Sequence, residues 1–146
     1  MEMWKHRLIS NFDYLMILNK EAGRSLINLS EYYVFPWVLS DYTSSSIDLN
    51  SPAVYRDLSK PMGYLNEERW KEIEERWSAM TPEDNPFMYG SLYSTAGIVL
   101  YYLIRVMPFT QVNREYQGGH FDRPERLFSS LAEAYSSSCT SSTDFK

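Results

Sequence analysis

The sequence has 146 residues, of which 44% are hydrophobic and 16% aromatic, and it carries a formal net charge of −5 with an isoelectric point of about 5.0. This length accommodates one ordinary domain with a single core, and this composition excludes a disordered chain. The acidic balance argues against a general nucleic-acid binder, which needs a basic face, and it suits an anionic membrane surface equally poorly. With Cys139 as the single cysteine, an intrachain disulfide and a cysteine-based zinc site are excluded, and a reducing compartment is favoured. The first residues do not have the pattern of a signal peptide.

A helix is predicted over residues 10–22, because both of its ends carry capping signals. Ser10 and Asp13 have the spacing of a capping box, and Gly23 suits the left-handed position that follows a helix. Apolar residues at helical spacing form one face: Tyr14, Leu15, Leu18 and Ala22.

The next apolar stretch, residues 32–39, reads YYVFPWVL and has the composition of a strand. Pro36 lacks the N–H that a strand ladder needs, so we expect an irregular, extended segment that packs into the core. Buried irregular backbone must find other hydrogen-bond partners, and nearby Ser, Tyr and Asp side chains are the expected ones. Residues 41–52 are predicted to form a polar surface loop, and residues 55–63 have neither helical nor strand periodicity.

A second helix is predicted from Asn66, which can cap it, to the Thr81-Pro82 pair that ends it. Its apolar face consists of Trp70, Ile73, Trp77 and Met80. The charged remainder is interpreted as a solvated face, with a partner-binding face as the alternative. Residues 83–86 are interpreted as a linker to the next helix.

The stretch 87–109, FMYGSLYSTAGIVLYYLIRVMPF, is predicted to contain the central helix. Ser94 or Thr95 can cap it, and Pro108 should end it near Met107. It is apolar or aromatic on nearly every side, which is typical of a helix that is buried in a core or crosses a membrane. Crossing takes about 20 apolar residues, and Arg105 interrupts this run early. We therefore expect a buried helix.

A last helix is predicted from Asp122, which forms another capping box with Glu125, after a turn region that follows Phe109. Its expected buried face consists of Leu127, Phe128, Leu131 and Tyr135. Residues 136–143 are nearly all serine or threonine around Cys139 and are interpreted as a tail. The predicted architecture is mainly α with long irregular core segments.

No set of residues has the spacing of an established catalytic or metal site. His6 and His120 are far apart in the sequence and have no second ligand at metal-binding spacing, so no metal or other cofactor is expected. Cys139 and His120 are a conceivable nucleophilic pair. The simpler interpretation is a free thiol and a histidine in a turn.

Three arginines embedded in apolar or aromatic sequence are the candidate functional residues: Arg24, Arg56 and Arg105. A buried or half-buried guanidinium needs a partner, so each is predicted to pair with an Asp or Glu. Contact with a ligand or a protein partner is the alternative. Arg105 is the sharpest case, because the central helix carries no other charge.

A series of motifs, taken in order, resembles the BEACH (Beige and Chediak-Higashi) domain family. They read ISNFDYLM at 9–16, LN at 18–19, AGRS at 22–25, VFPWVL at 34–39, YRDLSKP at 55–61, YGS at 89–91, YS at 93–94, QGG at 117–119 with FD at 121–122, and the run 122–133. The sequence departs from the family pattern at Tyr33, where proline is common, at Leu92, where histidine is common, and at Ile27 and Asn28, which replace an Asn-Asp pair.

The resemblance covers essentially the whole chain and corresponds to the N-terminal half of the family's domain. The chain is therefore expected to be an incomplete BEACH domain, without the PH-like domain and the WD repeats typical of such proteins. The resemblance implies helices packed around core segments that lack regular secondary structure. It also implies a scaffold in vesicle trafficking, membrane dynamics, lysosome size control, autophagy or receptor signalling.

The partners that the resemblance implies are proteins, including a PH-like domain packed against the BEACH domain, and the implied location is cytoplasmic and peripheral to intracellular membranes. The resemblance to the BEACH family implies no catalytic residues. A non-enzymatic interaction module is therefore favoured, because aromatic residues are dense and no catalytic constellation is present. The alternative is a hydrolase that uses Cys139 or a serine, which requires His120 within hydrogen-bond reach of the nucleophile.

Overall fold

The computed structural model of the chain describes residues 1–88 and 95–140. Within these ranges six α-helices form: α1 (Glu2–Lys5), α2 (Asn11–Glu21), α3 (Glu67–Ser78), α4 (Ala96–Tyr102), α5 (Phe109–Tyr116) and α6 (Leu131–Thr140). The same ranges contain short 3₁₀ turns and no strand, only an isolated antiparallel bridge between Leu39 and Tyr55. The prediction of a mainly α fold with long irregular segments is confirmed. The YGS and YS motifs and Leu92 lie outside the described residues.

The described residues divide into two compact units. Residues 1–36 and 95–128 form the first unit, which contains α1, α2, α4 and α5. Residues 37–88 and 129–140 form the second unit, which contains α3 and α6.

Helix α2 has the predicted capping box. The Ser10 hydroxyl accepts the Asp13 backbone N–H at 3.0 Å, and an Asp13 carboxylate oxygen accepts both the Ser10 N–H at 3.4 Å and its hydroxyl at 2.6 Å. Gly23 follows the helix with φ of +76°. No atom lies within 4 Å of the position of a Cβ there, so conformation and not space requires this glycine. The predicted apolar face is only half right, because Leu18 stays 47% exposed while Asn19 is buried.

The stretch from Tyr32 to Val38 has no regular secondary structure, as predicted. At its end, the Arg56 N–H donates to the Val38 carbonyl at 2.9 Å and the Ser40 N–H donates to the Val54 carbonyl at 2.8 Å, which makes the single bridge. Packing of the stretch is partial, because the side chains of Phe35 and Val38 remain exposed.

Helix α3 begins as predicted, with the Asn66 side chain accepting the Arg69 N–H at 3.0 Å. Ile73 is buried, and the Trp70 ring stacks on Tyr64. The interpretation of the charged residues as a solvated face is wrong at Arg69, which is only 3% exposed.

Helix α4 is capped by Thr95, whose hydroxyl accepts the Ile98 N–H at 3.2 Å. Val99 and Leu100 are buried, as expected for the central helix. The helix ends at Tyr102 and not near Met107, because the ring of a proline at 108 clashes with the carbonyl of residue 104 in a continuous helix. No described helix is long and apolar enough to span a bilayer.

Two elements after Phe109 differ from the sequence prediction. Helix α5 forms where a turn region was expected, and it packs against α4. The predicted helix from Asp122 is only a 3₁₀ turn at Pro124–Arg126. Helix α6 starts at Leu131 and continues to Thr140, so the interpretation of residues 136–140 as a tail is wrong.

Candidate functional site

Asn19 holds the irregular backbone of the first unit from the inner face of α2. Its side-chain oxygen accepts the Val34 N–H at 2.8 Å, and its Nδ2 donates to the Val34 carbonyl at 2.9 Å and to the Leu15 carbonyl at 3.0 Å. One amide side chain thus satisfies both polar backbone groups of Val34, which a neighbouring strand would otherwise do.

Arg24 and Arg56, both half-buried, donate to backbone carbonyls. Arg24 Nη1 lies 3.1 Å from the Tyr32 oxygen. Arg56 Nε lies 2.7 Å from the Trp37 oxygen, and its Nη1 lies 2.6 Å from the Lys60 oxygen. For residues 32–39 the expected partners were Ser, Tyr and Asp side chains, and the bonds described to Tyr32, Val34 and Trp37 come from these arginines and Asn19.

Arg105 is exposed, and its Nη2 donates to the Phe128 carbonyl at 3.1 Å. Within residues 1–88 and 95–140, the ion pairs involve none of the three candidate arginines. No ion pair of Arg24, Arg56 or Arg105 with a carboxylate is therefore seen in this part of the chain, and their pairing stays a prediction. Carbonyl oxygens compete well for a guanidinium, because its five N–H groups all donate and irregular backbone leaves acceptors free. Contact of these arginines with a ligand or protein partner stays a prediction.

Arg69 is a buried residue that the sequence analysis missed. Its Nη1 donates to the carbonyl of Ser138, a fully buried residue on α6, and so joins α3 to α6 within the second unit. A signal was present in the sequence, since Arg69 precedes the buried Ile73 by four residues and therefore lies on the same helical face.

Cys139 lies beside an aromatic cluster in the second unit. The rings of Trp37, Tyr42 and Tyr135 contact one another with centroid distances of 5.1–5.5 Å. Burial, reinforced by the neighbouring Cys139 thiol, raises the pKa of Tyr135 to about 12, and burial also raises the pKa of Tyr42. Both phenols stay neutral at physiological pH, so the cluster acts by packing.

His120 belongs to the first unit and Cys139 to the second. No hydrogen bond supports the nucleophilic pair among the bonds of the described residues, and no group of three potential ligands there is arranged to hold a metal ion. The hydrolase alternative therefore gains no observation in its favour.

Large apolar side chains are exposed on the first unit. Ile27 is 95% exposed, Leu8 70% and Phe12 61%, and the Phe12 ring stacks on Phe35 with their centroids 5.9 Å apart. Scattered exposed apolar residues are ordinary, and it is a contiguous patch of them that marks a surface covered by another protein.

These features define a class of protein: a helical domain whose irregular core segments are held by side chains that bind backbone. Residues 2–146 match the family model described as the Beige/BEACH domain. The chain is 46% identical over 146 residues to BEACH domain-containing protein B of Arabidopsis thaliana, and 45% identical over 143 residues to BEACH domain-containing protein lvsD of Dictyostelium discoideum. It is also 49% identical over 133 residues to Protein SPIRRIG of Arabidopsis thaliana.

The chain belongs to the Beige/BEACH domain family. The three alignments cover 99%, 98% and 90% of the chain but only 6%, 5% and 4% of the respective relatives. The chain thus spans about one twentieth of the length of the curated relatives it matches.

Proposed function

We propose that the chain is a non-enzymatic interaction module of a BEACH-domain protein. The parent protein would be a scaffold in vesicle trafficking, membrane dynamics, lysosome-related or autophagic processes, or receptor signalling. Family membership supports the proposal, and the exposed apolar side chains of the first unit are the observation that carries it, taken together as one proposed surface.

The proposed occupant of this surface is a PH-like domain of the same parent protein. The free energy of binding between the two would come from burial of Leu8, Phe12 and Ile27, since removing apolar area from water contributes about 25 cal/mol per Å². Association of the parent protein with the periphery of intracellular membranes, from the cytoplasm, completes the proposal. No nucleic acid and no cofactor take part in it.

The proposal is tested by isothermal titration of the 146-residue chain with the PH-like domain of its parent protein. Phe12→Ser and Ile27→Ser should each raise the Kd about 30-fold, the effect of losing an interface residue worth about 2 kcal/mol. Leu49→Ser is the matched control, because Leu49 is 60% exposed but belongs to the second unit. Equal affinity of all four proteins would contradict the proposed surface.

A further inference from the structure

Three serines of the chain follow an arginine at a distance of three residues: Ser10 after Arg7, Ser59 after Arg56 and Ser129 after Arg126. Basophilic serine kinases select acceptors by such charge patterns, because acidic groups in the kinase bind cations that precede the serine. The structure distinguishes the three serines sharply.

Ser10 follows two exposed cations. Lys5 and Arg7 stand five and three residues before the acceptor. Lys5 pairs with Glu2 at 2.9 Å, but the pair is solvent-exposed and such pairs are weak. Both cations are therefore available to a partner.

The segment between α1 and Ser10, residues 6–9, lies outside any helix. Helix α1 itself is held to α2, because the Trp4 Nε1 donates to the Asn11 Oδ1 at 2.8 Å and the Trp4 ring stacks on Tyr14. Arg7 has φ of +57°, a left-handed conformation that is unfavourable for a residue with a Cβ. Extending this segment in a kinase groove relieves that strain.

The other two serines lack this combination. Arg56 is bound to two carbonyls, and the acidic Asp57 follows it directly. Arg126 follows Glu125 directly and ends the 3₁₀ turn Pro124–Arg126. Neither arginine is part of a basic run.

We propose that Ser10 is a phosphoacceptor for a basophilic serine kinase. ATP supplies the phosphoryl group: the Ser10 Oγ forms a bond to the γ-phosphorus, the bond between this phosphorus and the β,γ-bridging oxygen breaks, ADP leaves and the hydroxyl proton is released. Arg7 and Lys5 are the residues that the kinase recognises.

Phosphorylation of Ser10 changes the start of α2. The ester has no hydroxyl proton, so the bond from Ser10 Oγ to the Asp13 carboxylate is lost and two anions are brought together. The positive end of the helix dipole favours the phosphate. The expected result is that α2 persists while the Asp13 carboxylate turns away from residue 10.

The test uses the full 146-residue chain, ATP and calmodulin-dependent protein kinase II, with mass-spectrometric mapping of the phosphate. Ser10 should carry most of the phosphate. Arg7→Gln should lower kcat/KM at least about tenfold, since it removes a charge-assisted hydrogen bond to the kinase. Ser10→Asn should abolish the major site and keep α2 folded, because asparagine caps helices as well as serine does.

Ser59→Ala and Ser129→Ala are the matched controls and should be phosphorylated like the parent chain. Circular dichroism of each variant shows that the fold is retained. Absence of phosphate on Ser10, a major site on Ser59 or Ser129, or an unchanged kcat/KM for Arg7→Gln would each overturn the proposal.

Discussion

In the first unit a neutral amide satisfies both polar backbone groups of one residue, whereas in the second unit guanidinium groups join carbonyls to segments that are distant in sequence. Asn19 binds both the N–H and the carbonyl of Val34. In the second unit, Arg56 binds the carbonyls of Trp37 and Lys60, and Arg69 binds the carbonyl of Ser138.

The difference follows from the hydrogen-bonding capacity of the two side chains. An amide has donors and an acceptor, so it can replace one neighbouring strand residue. A guanidinium only donates, but its donors point in several directions and can join carbonyls from separate segments. Asn19 therefore fixes one residue of a segment, whereas Arg56 ties two segments together.

The largest effect is expected for Arg69→Ala. Loss of the side chain leaves the buried Ser138 carbonyl without this donor and opens a cavity, so the free energy of unfolding should fall by about 3 kcal/mol. Urea denaturation measures this change. Lys71→Ala, an exposed position on the same helix, is the control and should change it by less than about 0.5 kcal/mol. A similar loss for both variants would remove the argument that a cation organises the second unit.

Asn19→Asp gives the corresponding test in the first unit. The carboxylate keeps the shape and the acceptor for the Val34 N–H, but it loses the donors to the Leu15 and Val34 carbonyls. The free energy of unfolding at pH 7 should fall by about 2 kcal/mol, because two acceptors lose their partner and a charge is buried. The exposed Lys20→Ala serves as the control in the same urea experiment. Unchanged stability of Asn19→Asp would show that the amide donors are dispensable.

Arg56 and Arg105 differ in burial and in the number of their bonds, so they should differ in stability effect. Arg56→Ala removes two short bonds from a half-buried site and should cost about 1.5–2 kcal/mol. Arg105→Ala removes one bond at an exposed site and should cost about 0.5 kcal/mol or less. Thermal and urea denaturation of the two variants, measured side by side, check the ranking, and the reverse order would contradict it.

The smallest effect concerns a carboxylate of the second unit that is held by neutral donors. The Ser44 hydroxyl, followed by the N–H groups of Ser44 and Thr43, lowers the pKa of Asp41 to about 2 from its ordinary value of 3.8. These bonds favour the ionised form, so their contribution to stability is present above about pH 4 and is lost as the pH falls towards 2. Carboxyl-carbon NMR should show a midpoint near 2 for Asp41, and Ser44→Ala should move it towards 3.8. A midpoint near 4 in the parent chain would count against the Ser44 and Thr43 bonds.

Several features that depend on near neighbours were predicted from the sequence, although the local signals at Asp122 and Glu125 wrongly predicted a helix there. The caps at Ser10, Asn66 and Thr95 were predicted because each side chain bonds to an N–H three residues later. The irregular stretch at 32–39 was predicted because Pro36 excludes a regular ladder. The mainly α class followed from the same local signals.

Features that depend on distant partners were not predicted. Arg69 is buried because a carbonyl on α6, 69 positions later, accepts its hydrogen bond. The serine-rich residues of α6 were interpreted as a tail because serine has a weak helix propensity. Packing overrides this propensity here, since Ser138 is fully buried. The carbonyl partners of the three arginines were not predicted either, because free carbonyls in irregular backbone leave no mark in the sequence.

The contacts around Tyr32–Trp37 set which of these positions tolerate an imino acid. The main-chain atoms that form hydrogen bonds with side chains here are the Tyr32 oxygen, the nitrogen and oxygen of Val34, and the Trp37 oxygen. The N–H of Tyr33 takes part in none of the hydrogen bonds described within these residues, so a proline at this position would remove nothing from the arrangement. One position further on, a proline would delete the donor that Asn19 accepts. Proline is thus tolerated at position 33 but not at position 34. The reason is that Asn19, Arg24 and Arg56 bind main-chain atoms of this stretch, so a substitution matters where it removes one of those atoms.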